Sequence, residues 1–171
     1  NAIATGADSS AANNASAYGN KAKATGGWSS AFGNESKAAA ADASAFGNTA
    51  TAAAQDSTAI GAHSSVTSVA TGGTALGRSS SVTTAGGVAL GQGSASTRAA
   101  LDGKNITISS EGSVVSSNHI TDDDSRNNNS NDVYAPVKLI NDPNTLTRVK
   151  ETIKGSAGAV SLGNGTTTRQ L

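Results

Sequence analysis

The sequence predicts an all-β fold, a parallel β-roll solenoid of short stacked rungs, and three observations predict it. First, Ser16-Ala17-Tyr18-Gly19 returns as Ser30-Ala31-Phe32-Gly33, Ser44-Ala45-Phe46-Gly47, Thr58-Ala59-Ile60-Gly61, Thr74-Ala75-Leu76-Gly77 and Val88-Ala89-Leu90-Gly91. The large apolar member advances in steps of 14, with one step of 16 between Ile60 and Leu76. A fixed short period with an apolar residue in one slot marks a stacked repeat. Second, Gly closes every unit, where its conformational freedom permits a bend. Third, small residues follow each Gly three and five places later. They are Ala22 and Ala24, Ser36 and Ala38, Ala50 and Ala52, Ser64 and Val66, Ser80 and Val82, and Ser94 and Ser96. Positions two apart share one face of a strand.

Each rung therefore reads as two very short strands joined at the Gly. Asn1-Ala2-Ile3-Ala4 reads as one more rung whose Gly has become Ala, so the chain begins mid-pattern, as a fragment of something longer would. Stacking places Tyr18, Phe32, Phe46, Ile60, Leu76 and Leu90 in one ladder with a spacing of about 4.8 Å. With these as the large core residues the core is thin. Burying a Leu or Phe contributes about 1.5–3 kcal/mol, and ordering each backbone residue costs about 1–2 kcal/mol. Such a roll, over residues 1–98, calls for partner chains, and an obligate homo-oligomer is the physical expectation.

Residues 99–159 break the pattern and read as a small α+β insert. Asn105-Ile106-Thr107-Ile108-Ser109 alternates like a strand, and Val114-Val115 and Val133 to Ile140 are further strand candidates. A polar loop runs from Asp122 to Asp132. Asp142-Pro143 offers an N-cap and a first helical Pro, Leu146, Val149 and Ile153 come at helical spacing, and Gly155 can end the helix. Val160-Ser161-Leu162-Gly163 then restores the repeat, so 160–171 reads as a last, altered rung running to the end of the chain.

Composition narrows the function. Aromatics are 3% and charged residues 14%, with neither Cys nor Met, and the formal net charge is zero. Disorder is the reading such a composition invites, but the strict spacing favours an ordered solenoid. Zero net charge gives no electrostatic case for nucleic acid. No apolar run approaches the roughly 20 residues of a spanning helix, and no Cys is present for a disulfide or thiolate site. A stack of near-identical rungs presents an extended surface in place of one converging pocket, which argues against an enzyme.

The chemical candidates are few. His63, just after a rung Gly, sits at a turn, and no sequence logic joins it to His119 in a triad. Gly91-Gln92-Gly93 and Gly163-Asn164-Gly165 are turns, since neither opens a helix with nucleotide-binding spacing. Asp122, Asp123 and Asp124 lack the alternate spacing, Gly and terminal Glu of a calcium loop, so no metal or cofactor is expected. Trp28 replaces a small residue at a turn, where an indole can anchor a partner or pack across an oligomer. Together with His119, Asp122, Asp123, Asp124 and Tyr134 of the insert, it completes the set of candidate partner contacts. Three glycosylation sequons, beginning at Asn14, Asn34 and Asn105, are expected by chance in so Asn- and Ser-rich a chain.

The repeated Ser/Thr-Ala-apolar-Gly at 14-residue steps resembles the head repeat of trimeric autotransporter adhesins of the YadA type, whose unit reads roughly Ser-Val-Ala-Ile-Gly. Every regular rung here matches the Ala-apolar-Gly part. Departures are Ser or Thr at the Val position, except at Val88, and aromatics at Tyr18, Phe32 and Phe46. Val160-Ser161-Leu162-Gly163-Asn164-Gly165 with Arg169-Gln170-Leu171 is similar to the family's neck motif, which joins the head to a coiled-coil stalk. The likeness spans roughly 110 of the 171 residues. It implies a left-handed roll, a homotrimer, and a neck lock that includes Arg169 and Gln170. It also implies display on a Gram-negative surface, with a stalk and outer-membrane anchor beyond Leu171. Members bind host matrix or serum proteins, and a subset with an insert before the neck binds immunoglobulin. The rival expectations are a spacer whose ligand site lies on the stalk, and an acyltransferase of the hexapeptide β-helix class. The second fails because 14 is not a multiple of six.

Overall fold

The computed structural model describes residues 1–99 and 156–164, and the backbone of Ile120–Thr121 and Val133–Tyr134. Two units result, one comprising Asn1–Ala99 with Ala157–Leu171 and the other Ala100–Ser156. The first is a parallel β-solenoid of about seven turns. Its first sheet stacks eight strands in chain order: Ile3–Thr5, Ser16–Tyr18, Ser30–Phe32, Ser44–Phe46, Thr58–Ile60, Thr74–Leu76, Val88–Leu90 and Val160–Ser161. The second stacks seven: Ser10–Ala11, Lys23–Ala24, Lys37–Ala38, Thr51–Ala52, Ser65–Val66, Ser81–Val82 and Ala95–Ser96. All pairings are parallel, and no helix occurs among the described residues. In the other unit Ile120–Thr121 pairs in parallel with Val133–Tyr134. The remaining insert elements expected from sequence, including the strands near 105–115 and the helix after Pro143, lie outside the described residues.

Inside the solenoid the side chains are small. Ala17, Ala31, Ala45, Ala59, Ala75 and Ala89 of the first sheet are wholly buried, and Ala24, Ala38, Ala52, Val66 and Val82 face them from the second. This corrects the expected core. In Ser-Ala-Phe the strand alternation turns the central Ala inward and both neighbours outward, so the large apolar ladder lies on the outer surface. Phe46, Ile60 and Leu76 are 37, 40 and 43% exposed. The buried serines find acceptors, as buried hydroxyls must, most of them within their own turn; Ser96 donates instead to the Ala159 carbonyl. Ser36, Ser64 and Ser80 each donate to the carbonyl of the Gly three residues back, at 3.0, 2.8 and 2.8 Å. Ala and Ser can therefore alternate in this column without changing the backbone.

Interior volume is balanced between neighbouring columns. Ser29, Ala43 and Ser57 fill one corner position where the second-sheet residue is Ala. Where that residue becomes Val66 or Val82, the corner position becomes Gly73 or Gly87. A Cβ on Gly73 would lie 3.0 Å from the Cγ1 atoms of both valines.

The two corners of a rung differ. At the first corner each rung Gly has φ between +95° and +136°, and its N–H donates to the previous rung, as Gly33 does to the Tyr18 carbonyl at 2.8 Å. A Cβ on Gly33 would stand 2.4 Å from the Gly47 carbonyl oxygen. These glycines therefore form a spine that admits no side chain. At the second corner the length varies. The step from Ile60 to Leu76 hides its two extra residues between Val66 and Thr74, so the strands stay in register, Thr58 on Thr74 and Ser65 on Ser81.

Another adjustment of the same kind corrects the reading of the first rung. Ile3 pairs with Ser16, Ala4 with Ala17 and Thr5 with Tyr18. The unit is therefore Ile3-Ala4-Thr5-Gly6, with its Gly present, and one residue is missing from its second corner. The interior Ala and the spine Gly determine this register; the apolar slot is filled by Thr5.

Candidate functional site

Three outer features stand out on the solenoid. The first is the apolar ladder of the first sheet. Register places Tyr18, Phe32, Phe46, Ile60, Leu76 and Leu90 in one row. Tyr18 stacks on Phe32 with centroids 4.8 Å apart and planes at 15°, and Phe32 on Phe46 at 4.9 Å and 4°. The repeat spacing itself imposes this contact, since aligned rings on successive strands are held about one strand spacing apart. Beside it runs a parallel row of Ser16, Ser30, Ser44, Thr58, Thr74 and Val88.

The second feature lies just past the glycine spine. Asn34 donates from Nδ2 to Asn20 Oδ1 at 3.1 Å, and Asn48 to Asn34 at 3.0 Å, forming an amide ladder. One residue on, Lys21 Nζ stands 3.7 Å from Glu35 Oε1, both half exposed, an ion pair worth little in solvent. Lys23 and Lys37 are direct neighbours in the second sheet. Lys21, Lys23, Glu35, Ser36 and Lys37 line a shallow cleft of about 260 Å³. The next rungs carry Thr49 and His63, with Thr49 Oγ1 2.6 Å from His63 Nδ1. His63 is thus at an exposed turn, φ +59°. Among the described residues no group of three His, Asp or Glu gathers as a metal ligand set.

The third feature is Trp28, at the second corner, with φ +55° and 67% of its surface exposed. Its counterparts in other rungs are Asn14, Asp42, Asp56, Gly72 and Gly86, all with positive φ. Gly, Asn and Asp are the types that tolerate the left-handed region. Replacing Trp28 by Gly is therefore expected to raise stability by about 1 kcal/mol, read from urea unfolding. A loss of stability would show that the indole packs its corner in place.

Of the other sequence candidates, His119, Asp122, Asp123, Asp124, Arg169 and Gln170 lie outside the described residues, and Tyr134 is placed only by its backbone strand. Bulk and spacing alone do not anticipate the asparagine ladder or the exposure of Phe46, Ile60 and Leu76. Aligning whole rungs by their Gly reveals the first, and strand alternation the second. No model of a known protein family matches the chain, and no curated protein matches it as a relative.

Proposed function

We propose that this chain is the head of a trimeric surface adhesin of the YadA type, non-catalytic and displayed on a Gram-negative outer membrane. The observation that carries the reading is the exposed apolar ladder on a regular solenoid. A row of Phe, Ile and Leu left in water along one side is the signature of a surface made to be covered. Three copies around an axis can cover three such rows with one another, each side chain adding on the order of 1 kcal/mol of further burial. The repeat's resemblance to the family supplies the symmetry, the left-handed winding and the neck role of Arg169 and Gln170. Host matrix protein or immunoglobulin is the partner class. Three rigid copies raise avidity through effective concentration where single contacts are weak.

The alternative is a spacer, with the ligand site on a stalk. Surface-plasmon binding to collagen, fibronectin, laminin and immunoglobulin Fc separates the two readings. The chain is compared with a version in which a short linker replaces Ala100–Ser156. The solenoid permits that deletion, because Ala159 N–H already donates to the Arg98 carbonyl at 2.9 Å. We expect one ligand to bind and its binding to vanish with the segment. No binding by either version would leave the head as a spacer.

A further inference from the structure

The second corner of the solenoid carries an aromatic group whose surroundings are polar. Trp28 is the chain's only tryptophan, 67% exposed at a backbone position otherwise held by Asn, Asp or Gly. The left-handed backbone is common to both corners of the repeat, from Lys21 and Glu35 to His63, so what sets Trp28 apart is a bulky aromatic in a column of Asn, Asp and Gly. Asn14 and Asp42, both exposed, occupy the same position in the rungs on either side, about 4.8 Å away along the stack. Gly26 and Gly27 precede the indole, and a Cβ on Gly27 would meet only the Asn13 carbonyl, at 3.9 Å. Gly26 is buried against the Ala40 carbonyl, so the open space beside the indole is at Gly27 alone. The corner thus offers one flat aromatic face, a single open glycine beside it, and an amide and a carboxylate as flanks.

We propose that this corner is a carbohydrate site that takes a neutral pyranose stacked on Trp28. The C–H face of a sugar ring carries partial positive charge, which suits the negative face of the indole. Ring hydroxyls can donate to the Asp42 carboxylate and accept from Asn14 Nδ2, the Asn14 Oδ1 already accepting from the Asn1 ammonium at 3.1 Å. A protein partner is the weaker fit, since a tryptophan hot spot is set among contacts that exclude water. The residues flanking Trp28 in its column are the exposed Asn14 and Asp42, with the small Ala40 and Ala41 beside Gly26. Asp42 and Asp56 in one column also disfavour sulfated or sialylated glycans. Trp28 precedes the strand Ser30–Phe32 and the apolar ladder runs along its far end. The site is therefore separate from the surface invoked for assembly and has a different ligand class.

Intrinsic fluorescence tests this directly, because all tryptophan emission comes from Trp28. The full chain is titrated with N-acetyllactosamine, chitotriose and a heparin tetrasaccharide, and passed over an array of labelled neutral glycans. A saturable change in emission with a neutral saccharide is expected, with no response to heparin. Trp28→Ala should lose array retention by about tenfold or more, as when other stacked rings lose their aromatic platform. Asp42→Ala should weaken retention with the emission response still present. Circular dichroism of both variants verifies that the solenoid is intact. Absence of any neutral-glycan signal, undiminished retention by Trp28→Ala, or a stronger response to heparin would each overturn the proposal.

Discussion

Alanine at Gly33 is expected to lower the stability of the solenoid by about 3–5 kcal/mol. Two costs coincide there. The backbone holds φ at +133°, where L-residues are strained, and the new Cβ would stand 2.4 Å from the Gly47 carbonyl oxygen and 2.6 Å from its carbon. Neither neighbour can yield, because the Gly47 N–H is itself bound to the Phe32 carbonyl at 2.8 Å. Gly72 is the internal control. Its φ is +66°, but nothing lies within 4 Å of the point a Cβ would occupy, so Gly72→Ala carries only the conformational cost of about 1–2 kcal/mol. Chemical denaturation of the two variants side by side measures the difference. Equal, small losses would mean that the rungs can separate at the spine, and that close backbone approach is not what excludes side chains there.

Lysine at both Phe46 and Ile60 is expected to abolish the assembly proposed for the head. Both side chains point outward and are 37 and 40% exposed in the single chain, so the substitution removes no interior contact. In a trimer that covers the ladder, it would bring unpaired ammonium groups into an apolar seam. An uncompensated buried charge costs several kcal/mol, and symmetry repeats it three times. Light scattering should show the parent at three times the 16.6 kDa chain mass and the variant at the mass of one chain. A parent that is monomeric, or a variant that stays trimeric, would remove the ladder from the assembly surface. The thin interior of Ala and Ser makes a further point measurable. If the lone solenoid depends on its partners, the variant will also lose β-sheet signal on dilution.

The repeat is legible in the sequence because each rung restates the same chemistry, and the two-strand rung with a Gly bend follows from it. The placement of the core is not legible by size alone. Ranking residues by hydrophobic bulk puts Phe32 and Leu76 inside, whereas a rung this narrow accepts only a small residue at the inward position of Ser-Ala-Phe, Ala in the regular rungs and Ser161 opposite Ala89. The period of two in those three residues already contains the answer. The first rung misleads for a related reason, since Ile3 imitates the apolar slot while Gly6 carries the register. Trp28 is visible as an oddity, but its left-handed backbone emerges only when its column is seen to hold Asn14, Asp42 and Asp56.

The pairing of small and large residues across the interior limits how such a chain can change its length. Duplication or loss of one repeat in the gene moves every later rung by a single step and leaves its neighbours alike, so reach is heritable in units. The exchange is free only for whole rungs. The Gly73 corner is shaped by Val66 and Val82 together, whereas Ala38 and Ala52 sit with Ala43 and Ser57. Whole rungs of the two types do meet, since Val66 stacks on Ala52 of the rung that carries Ser57. A crossover that splits a rung between its second strand and its second corner would instead set a Val beside a Ser, or a Gly beside an Ala with a void. Breakpoints should therefore gather at the glycine spine, where every rung is alike.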